Sequence, residues 1–405
     1  MGEPGGLPGL EAHRADRIVL HVDNDCFYAS CERLREHALR GEPVVIGMGY
    51  DEKEVRGAVA TASYEAREYG IESAQPISEA VERLPPRSSA DEETETAHYR
   101  PVDMAFYESV AEEVKAILED RADIVRHVSI DEAYLDCTET TTWDDVAAYA
   151  RDLKAQVADE VGVPVSVGAG PTMGVAKVAS DLDKPDGLAV VQPDEIEEVL
   201  HPLSIDELHG IGPVTARDLA SAGIETIGDL TGLDPAWLAD RYGDRGRDLY
   251  RRARGVDTEP VTPRGDPKSL SRESAVDGED ASIDDLREVL RDLARAVAER
   301  ADRRGATYRT IGIKVVLPPF EINTRETSLS GPVADADLVV DTALELFEEF
   351  EDATVRKLGV RVSNLSFADG DQAGLDSWTD GSPRGDAERT RPRGGQARLS
   401  EFVDH

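Results

Sequence analysis

The chain has 405 residues, 40% of them hydrophobic, with 83 acidic and 45 basic side chains and a net charge of −38. That length implies roughly two to four domains, no apolar run approaches the 18 or so residues that span a bilayer, and three cysteines without a CxxC pair exclude a disulfide framework or structural zinc site. The acid excess, taken alone, excludes nucleic acid as a partner, unless the protein works in molar salt, where the Debye length falls to about 3 Å and surface repulsion is screened.

Residues 1–16 form an N-terminal extension without the basic-then-apolar order of a signal peptide, so a soluble, cytoplasmic protein is expected. Ile18 to Val22 read as a short apolar strand that stops abruptly at the polar cluster Asp23-Asn24-Asp25. A mixed insertion, residues 27–93, ends in the acidic run RSSADEETETA. Val102, Phe106, Val110, Val114 and Ile117 mark a helix to Asp120. Two strands follow, Ile124 to Ile130 and Ala133 to Cys137, separated only by Asp131-Glu132. A helix from about Trp143 to Val161 and a strand from Val163 to Gly168 complete the order β, insertion, α, β, β, α, β, a split βαβ or ferredoxin-like arrangement. In that fold the first and third strands are antiparallel neighbours, so Asp23 meets Asp131 and Glu132 on one rim of the sheet. Such a trio repels itself unless cations fill it.

From Ile205 to Leu230 the pattern is helix, hairpin, helix, with Gly210-Ile211-Gly212 in the hairpin, and helical spacing continues to Arg254. Residues 255–267 read as a Pro- and Gly-containing tether. Beyond it, strand 268–276, helix 283–304, strands 308–317 and 321–329, helix 334–350 and strand 355–365 repeat the βαββαβ order without a carboxylate trio at the corresponding rim. Residues 367–395 are polar, rich in Gly, Asp and Arg, and expected to be disordered. The fold class is therefore multidomain α+β.

Four segments occur in one order: His21-Val-Asp-Asn-Asp-Cys-Phe-Tyr-Ala-Ser30, Gly57-Ala-Val-Ala-Thr-Ala-Ser-Tyr-Glu-Ala-Arg67, Ser129-Ile-Asp-Glu-Ala-Tyr-Leu-Asp136 and Ala176-Lys-Val-Ala-Ser-Asp-Leu-Asp-Lys-Pro-Asp-Gly187. With them the chain resembles the Y-family, translesion DNA polymerases of the DNA polymerase IV type, in a halophilic archaeal form, from about Ile18 to Leu365. The resemblance implies a catalytic palm (17–26 and 94–187), fingers (27–93), a helical thumb with a helix-hairpin-helix (188–254), the tether, and a DNA-binding little finger (268–366). It also implies low-fidelity DNA synthesis past damaged template bases without a proofreading exonuclease.

By that resemblance Asp23, Asp131 and Glu132 are catalytic and bind two Mg²⁺ ions, with the backbone carbonyl of Asn24 as a further ligand. Hard oxygen donors suit Mg²⁺, and two ions about 3.5–4 Å apart stabilise both the attacking and leaving oxygens. A solvated carboxylate at a strand end would explain any one of these residues, but not acids interrupting the apolar run Ser-Ile-Asp-Glu-Ala-Tyr-Leu-Asp. Asp25 and Asp136 are assigned to the fold or to support of the ligands.

The resemblance also places Tyr28 as a steric gate against a ribose 2′-OH, and Phe27, Ala58 and Ala60 beside the sugar and nascent base pair. Thr61, Tyr64, Arg67 and Lys184 are expected at the triphosphate of the incoming deoxynucleotide. Tyr64 and Arg67, three apart, share a helix face, and Arg grips phosphate oxygens bidentately; a surface ion pair with a neighbouring acid is the competing explanation. Gly210 and Gly212 would let the thumb hairpin approach a DNA phosphate, although a plain interhelical turn has the same spelling. Arg272, Arg309, Arg325 and Arg356 would hold the duplex backbone from a sheet face without reading sequence.

Gln396, Leu399 and Phe402 resemble the peptide (396–403) by which DNA enzymes dock on a sliding clamp, with Val403 where a second aromatic is usual. Expected partners are primer-template DNA, deoxynucleoside triphosphates and the clamp, with a monomeric chain and no membrane. Lysine supplies only eight of the 45 basic residues, and acids are spread along the whole chain, which favours the salt-adapted reading of the charge. Two other classes share features: nucleotidyl cyclases have a similar palm but need neither thumb hairpin nor second domain, and a non-catalytic clamp-bound scaffold would not keep the carboxylate trio intact.

Overall fold

The computed structural model describes residues 16–48, 57–89, 94–276 and 281–367, and the chain divides into two compact units, one up to Arg264 and one from Gly265. Gln396, Leu399 and Phe402 of the expected clamp peptide, the polar segment before them, and Asp91 to Glu93 of the acidic run lie outside the described residues.

The first unit opens with β1 (Val19–Asn24), whose six residues are all buried, and α1 (Phe27–Arg35). The strands β2 (Val44–Met48) and β3 (Ala58–Ala62) and the short helices α2 (Tyr64–Arg67) and α3 (Ile77–Arg83) follow, then β4 (His98–Pro101). Next come α4 (Met104–Arg121), β5 (Ile124–His127), β6 (Glu132–Asp136), α5 (Val146–Glu160), β7 (Val165–Gly170), α6 (Met173–Leu182) and β8 (Leu188–Val190). Five helices close the unit: α7 (Ile196–Leu200), α8 (Pro213–Ser221), α9 (Ile227–Thr231), α10 (Pro235–Tyr242) and α11 (Asp244–Ala253). Among the described residues no helix is long and apolar enough to cross a membrane.

The main sheet runs β5-β6-β1-β7-β8. Its first four strands have the ferredoxin-like order expected from sequence, with β1 antiparallel to both β6 and β7. The short β8 adds a parallel edge to β7. Helix α4 buries Tyr107, Val110, Ala111, Val114, Ile117 and Leu118, one face at helical spacing, and Asp103 caps its start by accepting the Phe106 N–H at 3.2 Å.

The boundary of the insertion moves in two places. Helix α1 sends Phe27, Ala29 and Cys31 into the core of the main sheet, because its apolar face lies against α4 and the sheet rather than in the insertion. Conversely β4, beyond residue 93, pairs with β2 in a separate three-stranded sheet of order β3-β2-β4.

Helix α6 is a wall shared by two cores. One side lies on β7 so closely that a Cβ at Gly168 would come within 2.1 Å of the Ser180 amide nitrogen, so glycine is required there. Its other side, through Val175, Val178 and Ala179, joins the core of the closing helices with Ile205, Leu208, Ile211, Leu219 and Leu249. The expected tether forms no regular element, yet its first ten residues are held to this unit. Val261 is buried against Val19, Tyr134, Met173 and Ala176; Glu259 pairs with Arg126 at 2.6 Å, and Arg264 donates to the Val128 carbonyl at 2.9 Å.

The second unit contains β9 (Ser269–Ala275), α12 (Ile283–Arg303), β10 (Ala306–Leu317), β11 (Glu321–Val333), α13 (Ala336–Phe347) and β12 (Lys357–Phe367), the βαββαβ order read from sequence. Its strands run β11-β10-β12-β9, so the first strand pairs with the fourth at an edge instead of with the third at the centre. Both helices cover one face, burying Leu290, Val297, Ala343 and Phe347 against Ile311, Ile313, Leu358 and Val360. Among the described residues the other face carries no helix.

Candidate active site

β1 and β6 bring the three carboxylates together by register alone. Asp23 stands opposite Glu132, and the Asn24 N–H donates to the Asp131 carbonyl at 2.9 Å. Ser129 shapes the turn into β6: its hydroxyl donates to the Asp131 carboxylate and accepts from the Asp131 and Glu132 amides at 3.2 and 3.0 Å. That local bonding explains why a serine precedes the two acids, since it fixes both backbones at the rim.

Helix α6 lays two lysines over this rim. Lys177 donates to Glu132 at 2.8 Å and to Asp23 at 3.1 Å; Lys184, just beyond the helix, donates to Asp23 at 2.6 Å. Asp181 lies between them, 3.3 Å from Lys177 and 2.6 Å from Lys184. Burial pushes the Asp23 carboxyl up, but the two ammoniums outweigh it and hold the group below its ordinary range. Burial raises Asp131 and, despite Lys177, Glu132.

The donor chemistry fits a hard divalent ion: three carboxylates on one rim, and the Asn24 side-chain oxygen, buried without a partner, beside them. As disposed here, however, no three acidic, histidine or cysteine side chains among the described residues are grouped to hold a metal, and lysine ammoniums lie among the carboxylates. Lys177 was not singled out from sequence. The signal was present, because Lys177 and Asp181 are spaced i, i+4 on one helix face and Lys184 follows three residues later.

Asp25 proves to be a hub. It is 2% exposed and accepts from the Tyr64 hydroxyl at 3.0 Å, the Ser166 hydroxyl at 2.9 Å and the Asp186 N–H at 2.8 Å. It thereby ties α2, β7 and the turn after Lys184 to the end of β1. Burial outweighs these bonds and raises its pKa.

Arg67 lies over the Tyr64 ring at 4.7 Å and donates to the Ala62 carbonyl at 3.1 Å, so the two residues do share a face. Tyr28 is half-buried and stacks on Tyr107 at 4.6 Å with ring planes 15° apart, and Tyr107 is fixed by donating to Glu32 at 2.8 Å. Ala58, Ala60 and Thr61 lie half-buried on β3. Phe27, by contrast, is 2% exposed and belongs to the main core. Its ring packs in that core instead of standing open beside a nucleotide, so ordinary core packing accounts for it.

Gly210 adopts φ +97°, a left-handed conformation suited to glycine, and Arg245 donates to its carbonyl at 2.8 Å. Gly212 precedes α8, and a Cβ there would meet open space.

The arginines expected on the second unit's sheet do not form one free face. Arg272 stands opposite Val360 and Arg325 opposite Ile313, both core residues, so alternation turns these arginines toward the helix-covered side. Arg325 pairs there with Glu349. Arg309 sits at the register shift between Tyr308 and Thr310, and Arg356 precedes β12, donating to the Pro319 carbonyl at 2.9 Å and lying over Phe320 at 4.3 Å. The helix-free face instead carries Lys314, Lys357 and Arg361, with Glu273 bonded to Lys314 at 3.0 Å and paired with Lys357. Listing cations without strand register missed this, because one residue of register reverses the face.

Comparison with known proteins agrees with this architecture. The impB/mucB/samB family matches residues 22–181, its C-terminal domain matches 267–375, and its helix-hairpin-helix motif matches 193–224. The chain is 55% identical to DNA polymerase IV of Halobacterium salinarum across 98% of each chain. It is 39% identical to DNA polymerase IV of Methanoculleus marisnigri, covering 89% of this chain and 98% of the relative. Among solved structures, a chimeric Y-family DNA polymerase superposes with a TM-score of 0.75 at 28% identity, covering 86% of this chain and 99% of the other. The insertion ternary complex of Dbh DNA polymerase gives 0.61 at 26% identity over 86% of this chain and 99% of that one.

Proposed function

The chain belongs to the impB/mucB/samB family of Y-family, DNA-directed DNA polymerases, and from that premise we propose that it extends a primer 3′-end past damaged template bases with low fidelity and by two-metal-ion chemistry. The observation that carries this reading is the register that sets Asp23 opposite Glu132, with Asp131 beside them and Lys184 above.

Asp23, Asp131 and Glu132, with the Asn24 carbonyl, would hold two Mg²⁺ ions. When bound, these supply a Lewis acid that favours the ionised 3′-oxygen and neutralises the leaving pyrophosphate. The protein's own part is to orient and neutralise. Lys184 and Arg67 face the triphosphate as fixed cations, and Tyr64 is aimed by its bond to Asp25. Tyr28, braced by Tyr107, blocks a ribose 2′-OH. The small side chains of Ala58 and Ala60 leave room above the nascent pair, so a distorted template is accepted.

The hairpin at Gly210 and Gly212 takes a primer phosphate on its amides. In the second unit the helix-free sheet face with Lys314, Lys357 and Arg361 follows the duplex backbone. These cations carry the duplex contacts in place of Arg272 and Arg325. Partners are primer-template DNA and deoxynucleoside triphosphates, the pair of ligand classes a ternary polymerase complex contains, and a sliding clamp taken by the C-terminal peptide. The protein acts as a monomer in the cytoplasm.

Incorporation opposite an abasic site, measured beside an undamaged template, tests the bypass reading. Extension through the lesion, with frequent mispairs on the undamaged strand and no 3′ excision, is the expected result. A stall one nucleotide before the lesion would contradict it.

A further inference from the structure

Lys184 has a phosphate to hold in the reaction above; Lys177 has none. Its ammonium is surrounded by three carboxylates, with Glu132 at 2.8 Å, Asp23 at 3.1 Å and Asp181 at 3.3 Å. Two of its three N–H donors are hydrogen-bonded, to Glu132 and Asp23, and Asp181 completes the ring of charge as an ion pair. At the Asp23–Glu132 pair this ammonium does what a bound cation does.

The same side chain borders a cleft of about 220 Å³ between α6 and the turn from Leu208 to Ile211. Asp181, Asp206 and Glu207 line that cleft with it. A lysine's four-carbon stem lets the head group swing without moving the helix, and Asp181, one turn along, remains a partner on either side of the swing.

We propose that Lys177 is a resident counter-cation, holding the Asp23–Glu132 pair before a divalent ion arrives and withdrawing into the acidic cleft when one binds. The inference rests on the assignment of Asp23, Asp131 and Glu132 as metal ligands. Metal loading then becomes an exchange of one cation for another. Two carboxylates stay in place in the metal-free enzyme without repelling each other, and the cost is a weaker grip on the incoming ion. Lys177 is on this account a positioning residue.

The test is a Mn²⁺ titration of the full chain followed by electron paramagnetic resonance, in molar KCl, without DNA or nucleotide. Lys177→Met is expected to bind Mn²⁺ about tenfold more tightly than wild type. It should also melt at a lower temperature without metal and recover when Mn²⁺ is added. Lys268→Met, which removes the same charge from the second unit, should leave the affinity unchanged. Should the methionine variant fail to fold, Lys177→Gln keeps a polar head in the site and is read in the same way. Equal or weaker Mn²⁺ binding by the Lys177 variants, with wild-type binding intact, overturns the counter-cation role alone. Absence of binding in wild type, Lys177→Met and Asp23→Asn alike overturns the ligand assignment itself.

Discussion

Asp25 carries more of the site's geometry than its neighbour Asp23, although only the latter is a proposed ligand. Its carboxylate is the common acceptor for Tyr64, Ser166 and the Asp186 amide. Asp25→Ala leaves those donors buried or half-buried without a partner and should cost roughly 2–4 kcal/mol of folding stability, read from the denaturant midpoint. Asp25→Asn keeps one oxygen acceptor and should cost less. Because Tyr64 and the turn after Lys184 both lose their anchor, the deoxynucleotide KM of the asparagine variant should rise more than its kcat falls. A change in kcat alone would place Asp25 in the chemical step instead. At this scale the sequence was informative about which acids cluster, since Asp23, Asp131 and Glu132 follow from strand ends. It was silent on Asp25 as a hub, because its partners come from positions 64, 166 and 186 and no local spacing records that meeting.

At the scale of elements, strand register decides what a side chain can reach. The carboxylate trio was legible because β1 and β6 are short and their apolar stretches break off at acids on the rim. The outward cations of the second unit were not, because a bulge in β10 and an edge position for β9 determine which of them face outward. Glu273 is the clearest consequence. Burial pushes its carboxyl up, but Lys357 and Lys314 outweigh this and hold it below its ordinary value. A depressed carboxyl contributes stability that is present above the unfolded pKa and lost as pH falls through the folded one. The stability difference between wild type and Glu273→Gln should therefore be largest at neutral pH and vanish below the ordinary glutamate range, as thermal unfolding at pH 7, 5 and 3 would show. The same variant removes the carboxylate that neutralises Lys314 and Lys357 on the helix-free face, so duplex DNA should bind it more tightly. An unchanged affinity would remove that face from the DNA contacts. The segment 255–264 makes a second case: Val261→Asp places a charge in a closed apolar cluster and should expose Arg264 to trypsin under conditions where wild type is uncut.

For the whole molecule, a net charge of −38 and the demands of a phosphate-binding enzyme have to be reconciled. Six of the seven described lysines pair with acids, and those at 177, 184, 314 and 357 do so at the proposed ligands or on the helix-free sheet face. The rest of the surface is left acidic, which screening in concentrated salt makes tolerable. Folding stability should therefore climb as KCl rises toward molar levels, and DNA binding should survive salt that strips ordinary cationic proteins from a duplex. The ferredoxin-like order, the helical region and the second βαββαβ unit were all readable from periodicity and breakers. The docking of residues 255–264 was not, because a single buried valine in a Pro- and Gly-containing stretch carries no periodic signal.

Primer extension on an undamaged template with Mg²⁺, over a KCl series to molar concentration, tests the central claim most directly when wild type is set beside Asp131→Ala. The account predicts extension by wild type that is strongest in concentrated salt, and a loss of at least about a thousandfold in the variant with DNA binding retained. Comparable extension by both proteins, or none by wild type at any salt while DNA remains bound, would contradict it.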